Sequence, residues 1–139
     1  MQKTIRIGSA IDNLRIVEKT IDAFTYDAEI SQDCYGKILI GTLEAVNNAI
    51  VHGNKSDINK FVNIDFLLDA GNLVITVTDE GKGFKPAEIP DPTLPENIEE
   101  LTGRGVFLMS KLADDIKFNN IGNSVTMTFK IWKFENSIL

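Results

Sequence analysis

One cysteine, Cys34, and one histidine, His52, are all that the 139 residues hold of either type. A lone thiol can form no internal disulfide and no thiolate zinc cage, and it fits a reducing cytoplasm. A lone histidine excludes an HExxH metal site, and any catalytic dyad would rest on a residue at a helix end. Apolar runs are short as well. No window approaches the roughly 18 residues that a membrane-spanning helix needs, and the N-terminal MQKTIRIGSA lacks the apolar centre of a signal peptide. Positive charge is in deficit: 14 Lys and Arg against 20 Asp and Glu leave a net charge of −6. That balance argues against a sequence-independent grip on nucleic acid, which needs a basic face to displace counterions. Protein or small-molecule partners fit it better.

What is present suits one globular domain with a real core, since 43% of the chain is hydrophobic and neither half shifts in composition. A short alternating strand is predicted around Lys3 to Ile7. Ile11, Leu14, Val17, Ile21 and Phe24 follow at the three- and four-residue spacing of an apolar helix face. A longer helix is predicted from about Gln32 to Val51, with Ser31 as N-cap and Gly53 as stop. Its expected buried stripe is Leu39, Leu43, Val46 and Ile50. Two strands, Phe61 to Asp69 and Leu73 to Thr78, read as an antiparallel hairpin around Ala70-Gly71-Asn72.

The pattern then breaks from Phe84 to Thr102, a stretch that holds all four prolines of the chain. A loop of that length within a compact domain tends to be functional. Order returns with a helix from about Val106 to Leu112 and a last hairpin, Asp115 to Phe118 and Ser124 to Trp132. These elements predict an α+β two-layer sandwich: a mixed, mostly antiparallel sheet with helices on one face.

The chain has no GxxxxGK[ST] loop and no HRD or DFG element, so the usual ATP machinery is missing. Three features still suggest a phosphate site. Leu73, Ile75, Val77 and Asp79 share one strand face, which sends the Asp79 carboxylate to the apolar side in the run TDEGKGF. An adenine amine is one donor that such a carboxylate could meet; a turn cap or a solvent-facing acid is the plainer alternative. Glu44 and Asn48, at i and i+4, lie together on the flank of the long helix. An acid and an amide there could hold a nucleophile and a magnesium ion, which keeps waters and substrate phosphates as its other ligands; alone, the pair could equally be a solvated edge. Gly103-Arg104-Gly105 stands at the predicted head of a helix, where backbone N–H groups favour an anion. Glycines also serve as plain joints, and Arg104 and Lys82 could be no more than exposed bases.

Taken in order, EAVNNAIVHGN, TDEGKGF and LTGRGVFLM resemble the N, G1 and G2 boxes of the Bergerat-fold ATPases, the superfamily of gyrase, heat-shock chaperone, histidine kinase and mismatch-repair ATPases. The short length and EAVNNAIVHG are most similar to the anti-sigma-factor serine kinases. The resemblance implies that Glu44 is the general base and that Asn48 coordinates Mg2+. It implies that Asp79 accepts a hydrogen bond from the adenine of ATP, and that Gly81 and Gly83 let the backbone pass close to the nucleotide. Residues 84–102 become an ATP lid, with Gly103 and Gly105 as its hinge and phosphate contact and Arg104 and Val106 as further nucleotide-binding residues. Where the family often has Gly-Thr-Thr before the last strand, this chain has Gly122-Asn123-Ser124, which leaves Ser124 as the hydroxyl near adenine. The implied function is phosphorylation of an anti-anti-sigma protein and sequestration of a sigma factor by a cytoplasmic homodimer that binds neither nucleic acid nor membrane. A nucleotide-gated binding module without transfer, or a histidine-kinase-type catalytic domain, would share the same boxes.

Overall fold

Period-two alternation organises the sheet on which everything else rests. The computed structural model describes residues 1–82, 101–119 and 121–131, leaving aside the side chains of 101–105 and 107. Five strands, β1 (Gln2–Gly8), β2 (Phe61–Asp69), β3 (Asn72–Thr78), β4 (Asp115–Phe118) and β5 (Ser124–Lys130), form one sheet in the order β1-β2-β3-β5-β4. In β3 the side chains of Leu73, Ile75 and Val77 are buried, as are Val62, Ile64 and Phe66 in β2 and Val125, Met127 and Phe129 in β5. Every second residue of these strands thus feeds one core, and the intervening threonines and polar residues face away from it.

Among the described residues all four ladders are antiparallel, which corrects the expected mixed sheet. The reason is connectivity. Gly8 at the exit of β1 pairs with Phe61 at the entry of β2, so the helices between them return the chain to the sheet end that it left. β2 and β3 are joined by a two-residue hairpin at Ala70 and Gly71, with φ of 49° and 83°. Positive φ at both central positions matches the strand twist, which explains a turn one residue tighter than Ala70-Gly71-Asn72.

Helix α1 (Leu14–Asp27) follows a short 3-10 turn at Ile11–Asn13, and α2 (Gln32–Asn48) runs back beside it. Tyr35 of α2 donates its hydroxyl to Asp22 of α1, and that bond, with burial second, pushes the phenol pKa up to about 12. Ser31 has the extended backbone of an N-cap, but its hydroxyl bonds the Cys34 sulfur at 3.5 Å instead of capping the helix.

The face that α2 buries is centred on Ile38, Thr42, Ala45 and Val46, while Leu39 and Leu43 are only partly covered. Small residues face the sheet because the helix lies close to it. A Cβ on Gly41 would stand 3.2 Å from Phe129 Cζ, so the bulkier leucines are turned to the flank.

Helix α3 spans Leu101–Leu112. It begins five residues before the expected start at Val106, so Gly103, Arg104 and Gly105 lie inside its first turns rather than ahead of it. Leu101 and Thr102, expected at the end of the lid, are helical too; the remainder of that segment lies outside the described residues.

Candidate functional site

The strand phase of β3 continues past its last paired residue. Thr78 pairs with Ser124, and beyond it the Asp79 N–H donates to the Asn123 carbonyl at 2.9 Å. Asp79 therefore keeps the parity of Leu73, Ile75 and Val77 and sends its carboxylate to the helix side of the sheet. There it is half-buried, and Oδ1 accepts the Gly81 N–H at 2.7 Å. Burial raises its pKa above the ordinary carboxylate value, while the Gly81 bond and the nearby Lys60 charge pull the other way.

The end of the long helix closes around this carboxylate. After Asn48 the helix widens into a π turn, Ala49–Gly53, in which the Asn54 N–H reaches back to the Ala49 carbonyl at 2.8 Å. Such single-turn widenings recur at functional sites. This one delivers Gly53 against Asp79: a Cβ at Gly53 would overlap the carboxylate, and a Cβ at Gly81 would overlap the Gly53 carbonyl. Both glycines are required by close approach.

Glu44 and Asn48 stand one turn apart on the flank of α2 opposite Leu39 and Leu43, both partly exposed. Among the described residues, no side-chain hydrogen bond joins Glu44 or Asn48 to another residue. A carboxylate and an amide oxygen are hard donors, and that chemistry fits magnesium, which needs only one or two protein oxygens. Among the described residues no cluster of three His, Cys, Asp or Glu forms a stand-alone metal cage. The continuous path from α2 through the π turn ties this pair to Asp79.

A model of the histidine kinase-like ATPase domain matches residues 7–129. The chain belongs to the histidine kinase-like ATPase family. Among its relatives, the anti-sigma F factor of Geobacillus kaustophilus is 28% identical over 127 residues, covering 90% of this chain and 87% of that protein. The serine-protein kinase RsbW of Oceanobacillus iheyensis is 32% identical over 122 residues, covering 84% and 77%. A crystal structure of the RsbU and RsbW domains of a Mycobacterium tuberculosis protein superposes with a TM-score of 0.70 at 16% identity. That overlap takes in 94% of this chain and 32% of the other, and it shows a shared fold.

Within this ATPase domain the expected residues divide. Asp79 and Gly81 come together, and Glu44 with Asn48 shares one helix that leads to them. Gly83 lies outside the described residues. Gly103, Arg104 and Gly105 are on the first turns of α3, where only the opening amides lack a partner within the helix. The Gly105 and Val106 amides are therefore engaged within the helix, and the Val106 side chain is buried in the core. Ser124 lies on the other face of the sheet, with its Oγ 3.0 Å from Thr78 Oγ1. Strand parity is the cause, and it leaves Asn123, not Ser124, opposite Asp79. Gly53 and Asn123 were not among the expected site residues; Gly53 was expected as the stop of the long helix, within the run that resembles the N box.

Proposed function

We propose that this chain is an ATP- and magnesium-dependent serine-protein kinase that acts as an anti-sigma factor. The observation that carries the reading is the half-buried Asp79 carboxylate, held on the core side of β3 between two glycines at the end of the helix that bears Glu44 and Asn48. An ionised acceptor in a partly desolvated wall recognises an exocyclic amine, and Asp79 would take the hydrogen bond of the adenine 6-amino group. Asn48 would hold Mg2+, whose role is to neutralise charge on the ATP phosphates.

Glu44 takes the proton from the hydroxyl of the acceptor serine. The serine oxygen forms its bond to the γ-phosphorus as the bond to the β-phosphate oxygen breaks, and ADP leaves. Positioning and charge stabilisation supply most of the acceleration in such a transfer. The names of the relatives, anti-sigma F factor and serine-protein kinase RsbW, support a sigma factor as the sequestered partner. An anti-anti-sigma protein is the phosphate acceptor in this reading, and the kinase works as a cytoplasmic homodimer.

The test is incubation with γ-labelled ATP, magnesium and a candidate anti-anti-sigma protein. Label should appear on a serine of that protein, and Glu44→Ala should bind ATP normally while losing transfer by about 10²–10⁴-fold, the usual weight of a general base. ATP binding with no transfer to any such protein would leave a nucleotide-gated binding module instead.

A further inference from the structure

Asn54 is fully buried, at 0% exposure, yet it belongs to no apolar cluster. A buried amide is costly unless its donors and acceptor are matched. Here all are used. Nδ2 donates to Ser9 Oγ at 2.8 Å and to the Phe61 carbonyl at 3.0 Å, while Oδ1 accepts the Glu80 N–H at 2.7 Å. Ser9, itself 1% exposed, donates a hydrogen bond from its hydroxyl to the Lys60 carbonyl at 2.7 Å. The Glu80 carboxylate returns to the Phe61 N–H. One side chain thus joins the exits of β1 and β3 and the entry of β2 to the end of the long helix.

The position does not need asparagine for its backbone. Asn54 has φ of −88°, and the left-handed residues that reverse the chain are Lys55 and Ser56, at 54° and 57°. What the side chain supplies is the bond to Glu80. That N–H belongs to the peptide unit on the C-terminal side of Asp79. Its partner on the N-terminal side is the Asp79 N–H, bonded to the Asn123 carbonyl, and the Asn123 amide reaches the Asp79 carbonyl at 3.4 Å. Both peptides that flank the Asp79 α-carbon are therefore held, and Asn54 holds the second from across the sheet end.

We infer that Asn54 is a positioning residue for nucleotide recognition, fixing the direction in which Asp79 presents its carboxylate to the base. The inference rests on Asp79 as the acceptor for the adenine 6-amino group. Its test is the ratio of affinities for ATP and for purine riboside triphosphate, which lacks that amino group, measured by calorimetry alongside thermal melting. The natural chain should prefer ATP by tenfold or more. In Asn54→Ala the preference should fall to within about threefold, with the loss mainly in ATP affinity. A variant with a lower melting temperature but an undiminished preference would overturn the inference and leave the role of Asp79 standing. Absence of any preference in the natural chain would overturn the Asp79 reading, and the inference with it. Should Asn54→Ala not fold, Ser9→Ala removes one partner of the same amide; an intermediate preference supports the inference, and an unchanged one overturns it.

Discussion

The α-carbon of Gly53 lies against the Asp79 carboxylate, so near that a methyl group on it would overlap Cγ and Oδ2. A helix end thereby forms a wall beside Asp79, and its position is transmitted to the carboxylate by contact alone. Gly53 is not in the left-handed region, so alanine there meets a steric obstacle without backbone strain. Gly53→Ala should weaken ATP binding by tenfold or more in calorimetry. Overpacking of this kind costs about 1–3 kcal/mol, so the melting temperature should also fall by several degrees. An unchanged affinity would mean that Asp79 can move aside without loss.

Asp79 carries a pH signature whose sign is opposite for stability and for binding. Its folded pKa is raised, chiefly by burial, so the fold favours the protonated acid. That contribution is fully present below the unfolded value and is lost as pH rises through the folded one. At pH 7 the ionised carboxylate is a net cost to folding, and Asp79→Asn should melt higher than the natural chain, with the difference shrinking in acid. In the proposed reading, ATP binding needs the ionised acceptor. Its affinity should drop as pH falls through the raised pKa, above the ordinary carboxylate value near 4, and Asp79→Asn should bind weakly with that dependence removed.

Strand parity separates two neighbours that look interchangeable in the sequence. Ser124→Ala removes a hydroxyl pair with Thr78 on the far face of the sheet and should leave nucleotide affinity within about twofold. Asn123→Ala removes the amide that reaches the Asp79 carbonyl and should weaken binding several-fold. The reverse order of effects in a binding titration would place Ser124 at the base after all.

Gly103 and Gly105 sit within the first turns of α3, where alanine is favoured by about 0.8–1.0 kcal/mol per residue. Gly103→Ala with Gly105→Ala should therefore raise the melting temperature of the nucleotide-free protein. If bare backbone is needed at the phosphates, the same pair should lose ATP affinity by tenfold or more. Gain in stability with no loss in binding would make these glycines plain helix residues.

Much of this arrangement was legible from periodicity. The alternation of Leu73, Ile75 and Val77 puts Asp79 on the core side from the sequence alone, because one phase governs a whole strand. The spacing of Glu44 and Asn48 put them on one flank for the same kind of reason. What failed were properties that periodicity does not encode. Leu39 and Leu43 looked like the buried stripe by bulk, whereas close packing on Phe129 selected the smaller Gly41, Thr42 and Ala45. Glycine propensity delayed the expected start of α3 by five residues. The π turn at Ala49–Gly53 has no sequence period of its own, and so neither the wall at Gly53 nor the reach of Asn54 could be read in advance.

The partners of Asn54 come from positions 9, 61 and 80, so two of its three contacts, those to Ser9 and Glu80, are remote in sequence. Contacts of that kind form only after long loops have closed, which is slow compared with making a helix or a hairpin. The helix with Glu44 and the β2–β3 hairpin can each begin to form locally. Their relative placement waits for β1 to dock, which makes a competent nucleotide site one of the last things this chain acquires as it folds.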